Sequence, residues 1–447
     1  MPAPSLPPGP RLPSIAQGLW FMLRPVGFFE SCKARYGEPF TIRIPSTPPV
    51  VMFSHPAAIR EIFTGDEDVL RAGEATVVLQ PILGPNSLLL LDGDRHLRER
   101  RMMMPPFHGD RMRAYAETMR DVTEAAVATW PVGRPFPLLA ETQAITLDII
   151  VRTVFGMAEG AAMAMLRDRL RRFISLAVNP LSLWPVLQVD LGPLSPWGRF
   201  VRLRREIDGL LDAEIAARRI ASAPESSDVL SLLLSARDEQ GDPMPDEHLR
   251  DELMTLLLAG HETTATALAW TMHRILTEPG VEQRVREEVR GVAPDGRLRP
   301  EAVGQLEYLD AVVKETMRLN PVLPDVMRLL KAPLTIGGID LPAGVGVAPN
   351  IYSAHRRPDV WPEPDRFRPE RFIGTRPNPY EFFPFGGGMR RCLGMAFALH
   401  EMKVVLAALF ARADFALSPG YGVRVVRRNV TWGPSEGMPV VLTRRAA

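Results

Sequence analysis

Phe385-Gly386-Gly387-Gly388-Met389-Arg390-Arg391-Cys392-Leu393-Gly394 is the stretch on which the reading turns. Three consecutive glycines let the backbone turn sharply and approach its neighbours closely. Two arginines and a cysteine follow, just where the apolar spacing of Leu393–Phe410 predicts a helix. A cysteine that ligates a metal must be held as the thiolate, and helix N-terminal amides and adjacent cations favour that charge. Gly394 leaves room for a flat group against the first helical turn. Three readings of Cys392 stand side by side: a buried structural thiol, a catalytic nucleophile, or a metal ligand. A nucleophile needs a positioned base, and only His400 is near in sequence.

Around this stretch the chain has the composition of a globular protein. Its 447 residues are 46% hydrophobic and 23% charged. The 53 Lys and Arg against 52 Asp and Glu leave a net charge of +1. That balance removes the electrostatic reason to expect nucleic-acid binding. Two cysteines, Cys32 and Cys392, make no disulfide framework and point to a reducing, cytoplasmic setting. No run of 18 apolar residues is present, so no membrane anchor is expected; Leu19–Phe29 comes nearest and is interrupted by Arg24 and Pro25.

The Pro-rich opening, Met1–Pro13, reads as extended, and residues 1–25 as an N-terminal arm. Gly27–Tyr36 reads as a short helix, and Thr41–Ile44 and Val50–Phe53 as paired strands. Helical spacing dominates from Arg95 to Leu276 and predicts one long helix over Asp246–Leu276, stopped by Pro279-Gly280. Helices follow at Val281–Val292 and Gln305–Leu319. Pro321–Asn350 carries strand-like pieces, Arg356–Gly388 reads as ordered coil, and Arg424–Leu442 as terminal strands. The fold class is therefore mainly α with a minor β part (α+β), with residues 1–447 forming one domain.

Three further motifs carry polar groups in fixed register. Glu315 and Arg318 share a helix face at i, i+3. Ala259-Gly260-His261-Glu262-Thr263-Thr264 interrupts an apolar run mid-helix, where glycine costs about 1 kcal/mol. There the Thr263 hydroxyl can bond back to the Ala259 carbonyl and widen the helix locally. His96 and Arg100 lie at i, i+4 on the helix that follows Asp92. Taken singly, each fits a solvated or packed helix face.

Together they change the odds. The decisive stretch resembles the haem-binding loop of the cytochrome P-450 family, Phe-x-x-Gly-x-Arg-x-Cys-x-Gly, at every fixed position. The other motifs match that family's order. The resemblance runs from about Phe40 to the C-terminus. It implies a haem-thiolate monooxygenase holding haem (heme b, iron protoporphyrin IX) between the long central helix and the Cys392 helix. Cys392 would be the metal ligand. Arg390, His96, Arg100 and Arg328 would meet the propionates, and Phe385, Gly386, Gly394, Ala259 and Gly260 would line the cofactor. Glu262 and Thr263 would route protons, with His261 at the variable position, on the helix surface or packed. Glu315, Arg318 and Arg371 would lock the fold.

The same resemblance implies electrons from a ferredoxin or flavodoxin whose reductase draws on NAD(P)H, with O2 as co-substrate. Arg95, Arg98, Arg101 and Arg391 would form a basic docking patch for that donor. Substrate lining would come from Val77, Val78, Leu79, Leu176 to Val178, Leu258, Ala259, Val322, Leu323, Val326 and Trp432. That apolar set implies an apolar small molecule such as a fatty acid, terpenoid or macrolide, hydroxylated or epoxidised. The His355–Pro358 and Pro106–Gly109 phrases resemble bacterial members that take fatty acids or terpenes. A monomer is expected. A peroxide-driven peroxygenase and a haem sensor or carrier are the alternatives, and the intact Glu262–Thr263 pair argues against both.

Overall fold

The 32-residue helix α11 (Asp246–Thr277) is the axis on which the other elements are arranged. It starts after Pro245 with Asp246 and Glu247 in its first turn, where carboxylates complement the helix dipole. Its second half, Thr264 to Thr271, is buried all round, so it runs through the interior rather than over it. The computed structural model describes residues 6–107, 111–156, 160–177, 188–192, 195–220 and 228–445.

The helices before it are α1 (Ser14–Leu23), α2 (Pro25–Tyr36), α3 (Pro56–Thr64), α4 (Gln80–Leu83) and α5 (Gly93–Met103). Next come α6 (Arg111–Thr129), α7 (Leu138–Phe155), α8 (Ala161–Ala177), α9 (Pro196–Ile220) and α10 (Val229–Ser235). After it come α12 (Val281–Val292), α13 (Glu307–Leu319), α14 (Ile351–Ala354) and α15 (Met395–Arg412). Helix α11 packs most extensively on α7, and also on α13 and α15. One large apolar core joins these helices. No helix of the described residues is long and apolar enough to cross a membrane.

The β part is small. β1 (Phe40–Ile42), β2 (Val50–Phe53), β8 (Gly346–Pro349), β5 (Arg328–Leu330) and β3 (Leu70–Arg71) form one sheet in that order. Only β2 and β8 in it run parallel. β4 (Pro135–Pro137), β12 (Pro439–Arg445) and β9 (Ala413–Leu417) form a second. β6 (Leu334–Ile336) pairs with β7 (Ile339–Leu341), and β10 (Val425–Arg428) with β11 (Thr431–Pro434).

The expected N-terminal arm is largely helical and docked. Gln17, fully buried on α1, donates to the Pro10 and Leu12 carbonyls and accepts from the Arg43 amide at 3.0 Å. Phe21 stacks on Phe29 with ring centroids 5.2 Å apart. These anchors outweigh the local proline content. Strand β9 was not expected from the sequence; it continues directly from the end of α15, where helix and strand share one apolar run.

Candidate active site

The cysteine loop is clamped onto α3. Gly386 and Gly388 adopt φ of +68° and +65°, a region that disfavours side chains. A Cβ on Gly388 would lie 2.0 Å from the Phe63 carbonyl oxygen, and one on Gly387 would lie 2.3 Å from the Phe63 ring. Inside the loop, the Cys392 amide donates to the Phe385 carbonyl at 2.9 Å. Gly394 is the N-cap residue of α15, and a Cβ there meets no protein atom within 4 Å. Cys392 keeps accessible surface, yet protein crowds its thiol enough that burial pushes the pKa up. The Gly394 amide and the Arg100 and Arg391 guanidinia pull the other way without prevailing. The sequence argument from dipole and cations is therefore insufficient alone, and a bound metal cation would supply the missing charge.

One stretch of α11 is accessible. Ala259 is exposed and Leu258, Gly260, Glu262 and Thr263 are half-buried, in a helix otherwise largely enclosed. Thr263 Oγ1 donates to the Ala259 carbonyl at 2.6 Å. The helix stays α throughout, so the expected widened turn is not formed; the hydroxyl back-bonds within regular geometry. A Cβ on Gly260 would sit 3.3 Å from Ile150, so the glycine serves the close approach of α7, not cofactor space. Glu262 accepts from Gln143 Nε2 and from Arg428 Nε, the latter at 3.2 Å. Burial raises its pKa, opposed by Arg428 and Gln143. His261 is buried, in keeping with a packing position.

Four basic side chains converge beside the loop. His96 is buried and its Nδ1 has no partner. Burial, then Arg390, Arg100 and Arg328, lower its pKa to about 3. Burial and Arg390 bring Arg328 down to about 10, against the pull of Glu67 and Asp92. Arg390 donates to Asp92 Oδ1 at 2.5 Å, and Arg100 to the Arg391 carbonyl at 2.6 Å. Mutually repelling cations, an orphaned imidazole nitrogen, a thiol at a helix start and an accessible Ala259–Thr263 step fit one group: a flat dianion carrying a metal, as haem is.

The basic docking patch is smaller than expected. Arg95 turns inward to Asn86 Oδ1 at 2.6 Å and His248 Nε2 at 3.2 Å. Arg101 pairs with Glu239. Arg98 and Arg391 remain exposed.

Glu315, Arg318 and Arg371 meet in the interior. Arg318 Nε lies 2.7 Å from Glu315 Oε2, with both side chains fully buried, and Arg371 Nε lies 3.4 Å from Glu315 Oε1. Arg318 also donates to the His355 and Pro364 carbonyls at 2.7 and 2.6 Å. The His355 ring nitrogen Nε2 accepts from the Phe383 amide at 3.0 Å. His355 is thus a structural residue, and its phrase carries no substrate information. His108 and Gly109 lie outside the described residues.

Of the expected lining, Leu79, Leu176, Leu258 and Val322 are half-buried and pack with Phe385 and Leu393 against the main core. Val77 and Val78 are exposed. Leu323 is half-buried. Val326 packs with Ile59, Phe63, Ile351 and Phe383 instead. Trp432 is not a lining residue: its ring is buried against Phe29 and Tyr352, at 5.5 and 5.4 Å. The β10–β11 hairpin carries it into the aromatic cluster beneath α1 and α2. Val178 lies outside the described residues. Sequence reasoning missed Phe63, Asp92, Gln143 and Arg428. Asp92 alone left a signal, as an acidic residue before a helix.

The family model for cytochrome P450 matches residues 6–438. Cytochrome P450 135B1 of Mycobacterium tuberculosis is 38% identical over 433 residues, covering 97% of this chain and 90% of its own. Cytochrome P450 138 of Mycobacterium bovis is 36% identical over 446 residues, covering 99% and 98%. Among solved structures, retinoic acid bound cyanobacterial CYP120A1 superimposes with a TM-score of 0.84 at 27% identity, covering 99% of this chain and all of that one. The cytochrome P450DA heme domain gives 0.85 at 25% identity, covering 99% and 98%.

Proposed function

The chain belongs to the cytochrome P450 family, a family of haem-thiolate monooxygenases, and on that premise we propose that it oxidises an apolar small molecule with electrons from a separate redox protein. The observation that carries the reading is Cys392 on a glycine loop clamped to Phe63, leading a helix that packs on α11, the same helix on which Ala259 is exposed and Thr263 half-buried.

When bound, haem supplies the oxygen activation and C–H oxidation that the side chains cannot perform. The chain's own residues do the rest. Cys392 offers the thiolate ligand, and His96, Arg100, Arg328 and Arg390 offer cations and donors to the propionates. Thr263 presents its hydroxyl at the accessible step of α11. Glu262, whose pKa burial raises against the pull of Arg428 and Gln143, is the carboxylate placed to relay a proton toward Thr263. Leu79, Leu176, Leu258 and Val322 exclude water and hold an apolar substrate by burial. A structural neighbour bound to retinoic acid supports an isoprenoid or fatty-acid-like class. Exposed Arg98 and Arg391 suit an acidic ferredoxin or flavodoxin.

The test is a dithionite-reduced, CO-bound difference spectrum of the purified protein. A strongly red-shifted Soret band, lost in Cys392→Ser and kept in Cys32→Ser, is expected. Fatty acids and terpenoids then displace the spin-state equilibrium on binding. A band at the position of neutral ligation in undamaged protein overturns the thiolate assignment.

A further inference from the structure

Behind α11 lies a second cavity, of about 340 Å³, walled by Gln143 of α7, Arg171 and Ile174 of α8, His261 of α11 and Arg428 of β10. Two residues along an α-helix turn the side chain by about 200°. His261 therefore projects from the face opposite Ala259 and Thr263, and this cavity is separate from the one the cofactor would occupy.

Two observations point to a ligand. His261, packed against α7 with a hydrogen bond to the Gln143 backbone, is only 3% exposed, lines the cavity, and its Nδ1 has no partner. Arg171 is a free cation: its neighbours Arg167, Arg169 and Arg172 on α8 pair with Asp148, Glu206 and Asp168, whereas Arg171 has no ion pair among the described residues. The remaining wall residues are apolar Ala140, Ala144 and Ile174 and polar Gln143, Ser175 and Arg428. Two guanidinia over an apolar floor suit a group with one anionic end.

We propose that this cavity binds a small carboxylate with a short apolar tail, its oxygens on Arg171 and Arg428 and its tail against Ala144 and Ile174. Arg428 already donates through Nε to Glu262, and Gln143, another wall residue, donates to the same carboxylate. Its remaining guanidinium donors can serve the ligand. The bound anion then places a negative charge on the far side of Arg428 from Glu262. The two negative charges share one cation, so occupancy favours the protonated form of Glu262. By reciprocity, neutralising Glu262 tightens the ligand. The cavity thus becomes a place where a metabolite carboxylate biases the proton carrier of the neighbouring site.

The test is calorimetric titration of the haem-loaded protein with sodium butyrate, and separately with chloride and phosphate. Saturable butyrate binding is expected, weakened about 10-fold or more in Arg171→Ala, as loss of a charged hydrogen-bonding partner implies. Ala144→Phe fills the floor and abolishes it. Glu262→Gln tightens it roughly 3-fold or more, by removing a like charge across Arg428. Arg171 is exposed, so its variant keeps the fold, which an unchanged haem absorption spectrum verifies. Butyrate heat that is absent, or indifferent to both Arg171→Ala and Ala144→Phe, overturns the proposal. Chloride or phosphate binding as tightly as butyrate, and surviving Ala144→Phe, overturns the apolar tail. None of these readouts needs turnover, so their failure is distinct from failure of the monooxygenase reading.

Discussion

Asp92 holds Arg390 at 2.5 Å through Oδ1, and the same carboxylate accepts the backbone amides of Ala72, Gly73 and Glu74 at 2.9, 2.8 and 3.0 Å. It stands at the N-cap position of α5 but makes no cap bond there. Its work is to tie the cysteine loop to the β3 turn. Asp92→Ala leaves a partly buried guanidinium and three amides without their acceptor. A loss of about 3 kcal/mol is expected by urea denaturation, at the upper end for hydrogen bonds to a charged group. Asp92→Asn, which keeps an acceptor oxygen, recovers part of it.

Two glycines of the same loop separate backbone demand from cofactor demand. Gly388→Ala sets a Cβ against the Phe63 carbonyl at a φ that strains any side chain. Haem-free and haem-loaded protein both lose stability, by about 2 kcal/mol or more from left-handed strain and the clash. Gly394→Ala meets open space at ordinary φ. The haem-free protein melts as the parent does, while haem dissociates faster from the loaded one. Equal effects of the two substitutions on haem-free protein refute this division.

Much of this was legible because periodicity and punctuation are local signals. Pro245, the acids after it and Pro279-Gly280 bracket α11 in the sequence to within a residue or so. Register alone leaves Cys392, Thr263, Glu315 and Arg318 open to bland readings; the resemblance of the motifs, taken together, to the family's pattern is what singles them out. What stayed hidden depends on residues far apart in the chain. Nothing near Arg428 says that a hairpin will carry it to Glu262, 166 positions away. Nothing near Phe63 says that it will fill the glycine loop. Trp432 is misplaced for the same reason: its partners Phe21, in the segment that reads as an arm, and Phe29, on the short helix after it, lie near the other end of the chain. Gln17 docks that segment, and a buried glutamine leaves no periodic trace.

The Glu315–Arg318 pair is expected to behave as a buried charge pair whose halves cannot be removed singly. Both side chains are fully buried, and Glu315 Oε1 also accepts from the Arg368 amide at 2.8 Å. Arg318→Ala costs about 3 kcal/mol, by leaving the buried carboxylate with only Arg371 at 3.4 Å and the Arg368 amide. The chain then recovers less protein with haem bound. A loss below about 1 kcal/mol in denaturation curves would place the pair on the level of surface bridges.

Glu401 gives a pH test remote from the site. It is buried on α15, Oε1 has no partner, and burial pushes its carboxyl well above the ordinary range. The folded chain keeps this proton while the unfolded chain releases it above about pH 4.5. Between those two pKa values the folded state binds more protons, so this group's contribution to stability is lost as pH rises. The slope is about 1.4 kcal/mol per pH unit. Glu401→Gln removes that slope. Plotted against pH, the stability of the variant relative to the parent rises from pH 4.5 toward neutrality, and parallel curves refute the assignment.

Thr263 and Glu262 are separable by what each substitution leaves behind. Thr263→Ala removes the hydroxyl that bonds the Ala259 carbonyl, without touching the ligand loop. The CO difference band and the substrate-induced spin shift persist, while product formed per electron pair falls several-fold; Thr263→Ser restores it. Glu262→Gln keeps one acceptor oxygen, for Arg428, and turns an amide NH2 toward Gln143, whose own amide can flip to accept it; it cannot carry a proton. Turnover falls about 100-fold, the lower range for a lost general acid, and the solvent isotope effect rises. If Glu262→Gln instead uncouples electrons from product with an unchanged isotope effect, the carboxylate acts by holding Arg428 in place. The proton then reaches Thr263 by another route.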